Sequence, residues 1–104
     1  MIEVTVNLNF KNEKDLSRWA YLYCKDIEND KEIARLIVDN DYAYLYCSHI
    51  ENNKDIAKNI IDSYYAYLYC SEVGNAKEIA KNITDKYYIK MYKNKFGYNP
   101  EEKK

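Results

Sequence analysis

The sequence predicts an all-α protein of short two-helix repeats, period 23, stacked as a small solenoid, with one N-terminal β-strand. Three observations lead there. The phrase "WAYLYCKDIENDKEIARLIVDND" begins at Trp19 and returns as "YAYLYCSHIENNKDIAKNIIDSY" from Tyr42 and "YAYLYCSEVGNAKEIAKNITDKY" from Tyr65. A fixed period of this kind marks stacked supersecondary units, none of which buries its apolar face alone. Only two glycines and one proline occur in 104 residues, which suits helices with short connections. Finally, "IEVTVNLNF" alternates apolar and polar residues with period two, the pattern of a strand. The expected organisation is one domain over 1–104, with a strand at 1–10, three helical hairpins over 13–87, a capping helix at 88–97 and a tail at 98–104.

The strand comes first. Ile2, Val4, Val6, Leu8 and Phe10 share one face, and no second strand pattern follows to pair with it. A lone strand leaves its backbone groups unsatisfied. The expectation is a homodimer in which Ile2, Val4, Val6 and Leu8 pair with the same strand of a second copy; the rival is addition to a partner's sheet. The first helix is expected over 13–28, because Leu16, Trp19, Ala20, Tyr23, Cys24 and Ile27 recur at helical spacing.

In the second repeat, Tyr42, Ala43, Tyr46, Cys47 and Ile50 fall on one arc of a helix, with Tyr44, Leu45, Ser48 and His49 opposite. The following segment puts Ile56, Ala57, Ile60 and Ile61 on one face. Two helices of about nine residues are therefore expected per repeat, a length marginal in isolation and dependent on stacking. Between them Asn29, Asn52 and Asn75 precede Glu32, Asp55 and Glu78 by three positions, which approximates a capping box. After the third repeat the register continues, with Lys93 in the cysteine column, as a capping helix with one wet side requires. Gly97 suits a helix C-terminus, and Pro100 is expected to end regular structure.

Sixteen basic and seventeen acidic residues leave a net charge of −1, which exerts no bulk pull on nucleic acid or anionic membrane. The charge drifts along the chain: the repeat from Trp19 is the most acidic and the segment after Tyr87 is basic. No apolar run is long enough to span a membrane. The N-terminus lacks the features of a signal peptide, so a cytoplasmic protein is expected.

Catalytic patterns are absent from the sequence: no glycine-rich phosphate loop, no Ser–His–Asp set and no HExxH. The expectation is a protein that is not an enzyme and needs no cofactor. Cys24, Cys47 and Cys70 form a column, but stacked helices stand roughly 8–10 Å apart. That is too far for one zinc ion or a disulfide. They read as small buried residues, and His49 reads as a solvated one.

Three tyrosine columns are the strongest signal. Trp19, Tyr42, Tyr65 and Tyr88, and Tyr23, Tyr46, Tyr69 and Tyr92, project to the core arc. Tyr21, Tyr44 and Tyr67 sit on the outer arc beside Leu22, Leu45 and Leu68, within a polar rim. A Tyr–Leu stripe of this kind has the composition of an interface core, and these six residues are the expected partner-binding set. Packing between repeats would use the same positions, and both readings stay open. A basic ladder, Lys31/Arg35, Lys54/Lys58 and Lys77/Lys81, beside tyrosines suggests single-stranded nucleic acid. Interleaved Glu32, Asp55, Glu78, Asp39, Asp62 and Asp85 argue against it.

The phrase YAYLYC…I…N.KEIAK.I.D, repeated over residues 19–87, resembles short tandem helical-hairpin repeats of proteins from phages and mobile elements. The heavy use of Lys, Asn, Ile and Tyr points the same way, to an AT-rich coding sequence of a low-GC bacterium or its phage. The resemblance implies a small, cofactor-free inhibitor of a host-defence complex, of the anti-CRISPR kind, acting in the bacterial cytoplasm. The acidic first repeat would fit a basic nucleic-acid-binding protein as its target. The expected function is thus a protein-protein interaction module. The alternatives are a single-stranded nucleic-acid binder using Tyr stacking and a self-assembling structural unit.

Overall fold

The computed structural model describes residues 12–102. Its elements are α1 (Glu13–Asp26), α2 (Lys31–Ala34), α3 (Asn40–His49), α4 (Lys54–Ala57), α5 (Ser63–Glu72), α6 (Lys77–Ala80), α7 (Lys86–Phe96) and a closing 3₁₀ turn (Pro100–Glu102). Long and short helices alternate. The long ones pack in sequence order, α1 on α3, α3 on α5 and α5 on α7, each of the first three resting on its own short helix. The result is a row of three hairpins closed by α7; a superhelical solenoid is not shown.

The all-α part of the expectation holds, and the strand is a correction. Among the described residues every element is helical and none is a strand. The physical reason is that helices satisfy their backbone internally, so no described segment offers an edge to which a strand could add. Residues 1–10, with Ile2, Val4, Val6 and Leu8, lie outside the described residues. The dimer expected through them lies outside the described residues as well.

Each long helix starts at an aspartate or asparagine whose side chain accepts from backbone amides of the first turn. Asn12 does so for α1, Asp39 for α3, Asp62 for α5 and Asp85 for α7. At the other end the amides of Ile50 and Glu51 both donate to the Tyr46 carbonyl, and Val73 and Gly74 repeat this on Tyr69. The chain then turns, and a second cap starts the short helix. That cap is one residue later than the sequence suggested. Asp30 and Asn53 accept from the amides two and three positions on, while Ala76 has no side chain to do so. Asn29, Asn52 and Asn75 serve elsewhere.

The second helices are also shorter than expected, four residues each. The amide of Asn59 donates to Ile56 and that of Ile60 to Ala57, a tightening that ends the α-helix. The side chain of Asn59 then bonds the Ile37 carbonyl of the preceding repeat at 2.9 Å, and Asn82 bonds Ile60 likewise. Such a side-chain bond competes with helix continuation. Ile60 turns inward and is fully buried, whereas Ile61, expected on the same apolar face, is 69% exposed.

Three further contacts tie each repeat to the one before. The hydroxyls of Tyr46, Tyr69 and Tyr92 donate to the side-chain oxygens of Asn29, Asn52 and Asn75 at 2.6, 2.6 and 2.7 Å. Ser17 accepts from the amides of Val38 and Asp39, Asn40 from Ile61 and Asp62, and Ser63 from Thr84 and Asp85, all at 2.7–3.0 Å. Buried columns of Ala (20, 43, 66), Cys (24, 47, 70) and Ile (33, 56, 79 and 37, 60, 83) fill the space between. Beyond the last repeat Tyr92, Phe96 and Tyr98 cluster, with ring centroids 4.5 Å apart for the first pair and 5.8 Å for Tyr92 and Tyr98. Gly97 takes the left-handed φ of +85° that ends α7, and Pro100 opens the 3₁₀ turn that packs on α6.

Candidate protein-binding face

The six residues of the Tyr–Leu stripe have different fates. Tyr21 and Tyr44 are buried, at 6% and 8% exposure, while Tyr67, Leu45 and Leu68 are half-buried and Leu22 is exposed. A long helix in the row has neighbours on two sides and a short helix against it, so its buried face is wider than one arc. Each outer tyrosine packs on the first-column tyrosine of the next repeat. The centroids are 5.9 Å apart for Tyr21 and Tyr42, 5.6 Å for Tyr44 and Tyr65, and 6.2 Å for Tyr67 and Tyr88. Tyr44 also donates to Glu72 at 2.8 Å, and burial first, then Glu72, pushes its hydroxyl up to about 12. The structure therefore does not bring the six together as one surface.

A different set of rings is brought together, at the start of α5 and α7. Tyr64 packs on Tyr65 at 4.9 Å and on Tyr88 at 5.6 Å, and Tyr87 packs edge-on against Tyr88 at 5.0 Å. With Tyr67 and Tyr44 the rings form a continuous cluster. Its outer members stay accessible: Tyr64 is 42% and Tyr87 64% exposed. Offset and edge-on contacts at these distances stabilise the rings against one another, so the cluster is held in place before anything binds. Its rim is acidic. Burial, then Tyr64 and Tyr87, then the carboxylates of Asp85 and Asp62 push the Tyr88 hydroxyl above its ordinary value.

Periodicity does not reveal Tyr64 and Tyr87, because the first copies carry other residues at their column. Their column reads Arg18, Asp41, Tyr64, Tyr87, so two exposed aromatics appear where the earlier copies carry charge. Departure from the repeat at an exposed position was the available signal.

The other candidates stand as follows. Cys24, Cys47 and Cys70 are buried thiols outside any disulfide, and their sulfurs lie 3.6–3.9 Å from the carbonyls of Asp30, Asn53 and Ala76. Burial pushes the Cys24 thiol up and that of Cys47 to about 11. Among the described residues no group of three His, Cys, Asp or Glu is arranged to hold a metal ion. His49 is exposed at the end of α3. Among the described residues no helix is long and apolar enough to cross a membrane. Comparison with family models, with curated proteins and with solved structures gives no match.

Proposed function

We infer that the protein is a protein-protein interaction module whose contact face is the tyrosine cluster at the start of α5 and α7. The observation that carries this reading is the exposure of Tyr64 and Tyr87 on rings already packed below them. Pre-packed aromatics with part of their surface in water are the residues that dominate binding energy at protein interfaces. Nucleic acid is the weaker reading, because Asp62 and Asp85 stand beside the rings where a phosphate backbone would run. The resemblance of the repeats to phage proteins makes a host-defence complex the first target to screen. Three buried cysteines outside any disulfide fit action in a reducing cytoplasm.

The test is affinity capture from a bacterial lysate, with and without nuclease. A protein retained after nuclease treatment supports the reading. Capture that disappears with nuclease supports the nucleic-acid binder instead.

A further inference from the structure

The lock between tyrosine and asparagine occurs three times, and its three copies are completed differently. At the first junction Asn29, Lys31 and Tyr46 surround one carboxylate. Glu51 accepts from the Asn29 amide at 3.1 Å, from the Lys31 ammonium at 2.9 and 2.8 Å, and from the Tyr46 hydroxyl at 3.2 Å. Lys31, then Asn29, hold the Glu51 carboxyl below its ordinary range. At the third junction the Asn75 amide donates to the Tyr98 hydroxyl at 3.0 Å.

The second junction has the donors and lacks the acceptor. Asn52, Lys54 and Tyr69 occupy the same three positions, and Tyr69 bonds Asn52 at 2.6 Å as in the other copies. The residue in register with Glu51 is Gly74. Among the described residues no acceptor meets the Asn52 amide and no carboxylate pairs with Lys54. Lys54 and Tyr69 instead line a hollow of about 280 Å³ whose walls carry Ala57 and Ile79, the further cation Lys58, and the carboxylates of Asp55 and Glu78. Lys58 and Glu78 also line a second hollow of about 250 Å³ that reaches Ile61 and Lys81.

We propose that Asn52, Lys54 and Tyr69 form a carboxylate-binding site that receives a glutamate side chain from an acidic segment of a protein partner. The first junction shows which group this trio takes, since the same three residue types already hold Glu51 there. The hollow argues for a segment and against a lone small anion. Ala57, Ile79 and Ile61 are apolar walls that a carboxylate alone would leave wet, and Lys58 and Lys81 line the continuation with charge for a second acid. Asp55 and Glu78 offset part of this charge, but the three lysines Lys54, Lys58 and Lys81 exceed the two acids that line the hollows. The site stands independently of the tyrosine cluster.

The experiment is a nuclear magnetic resonance titration of the full chain with a capped Glu-Leu-Glu peptide, with its Gln-Leu-Gln analogue and with acetate. The Glu peptide is expected to shift the Asn52 side-chain amide and the Lys54 and Tyr69 signals, and the Gln peptide to leave them in place. Lys54→Gln removes a charge-assisted bond and should weaken binding about tenfold or more. Gly74→Glu should close the site with the protein's own carboxylate. A Cβ at Gly74 meets only the Asn52 side chain, at an ordinary 3.7 Å, so the substitution fits. Shifts spread over exposed lysines and unchanged in both variants would overturn the proposal. Acetate binding as tightly as the peptide would overturn the partner segment as ligand.

Discussion

Ser17 is fully buried, and its hydroxyl holds the amides of Val38 and Asp39, each at 2.9 Å. Ser17→Ala leaves both donors without their acceptor, and stranding a buried donor costs about 1–3 kcal/mol. The urea midpoint should fall while the slope of the transition stays the same. At Cys47 burial raises the thiol to about 11, so little thiolate exists at neutral pH. Labelling of Cys47 by a thiol reagent should be slow in the native protein and fast in urea; equal rates would contradict the burial. Single residues also show what the sequence made legible. The columns of Ala, Cys and Ile announce a core because repetition at one position means one environment. Tyr64 and Tyr87 announce nothing by that logic, since their meaning lies in breaking it.

The short helices differ at their caps. Asp30 and Asn53 cap α2 and α4, but Ala76 leaves the first amides of α6 without a side-chain acceptor. Ala76 already has an extended backbone, φ −101° and ψ 136°, like the other two caps. Ala76→Asp should therefore stabilise the protein by about 0.5–2 kcal/mol, read as a higher denaturation midpoint. The elements also show why sequence reasoning stopped short. Helical periodicity found the long helices, whereas the short ones end where Asn59 and Asn82 reach back to carbonyls of the preceding repeat. Those bonds span 22 residues, and local pattern carries no trace of them. The same limit explains Tyr44. An arc drawn on one helix assumes one neighbour, and α3 has helices on both sides.

For the whole molecule, stability is distributed along a row of similar junctions, and the tyrosine hydroxyls make it sensitive to alkali. Burial first raises Tyr44 and Tyr46 to about 12 from an ordinary 10. The unfolded chain loses these protons first, so their contribution is complete below pH 10 and is lost as pH rises toward 12. Stability should fall across that window. Tyrosinate absorbance should appear later in the native protein than in urea. The repeat in the sequence conveyed this row of hairpins, but not which tyrosines face water, because exposure depends on neighbours 23 residues away.

The central claim is that tyrosines keeping the repeat pack the row, while Tyr64 and Tyr87, exposed where the earlier copies carry charge, bind the partner. Its most direct test is the amount of nuclease-resistant partner captured by Tyr64→Ser/Tyr87→Ser relative to wild type, at equal helical circular dichroism. Loss of two interface tyrosines, each worth about 2 kcal/mol or more, should reduce capture to background. Undiminished capture by the folded double variant would contradict the claim.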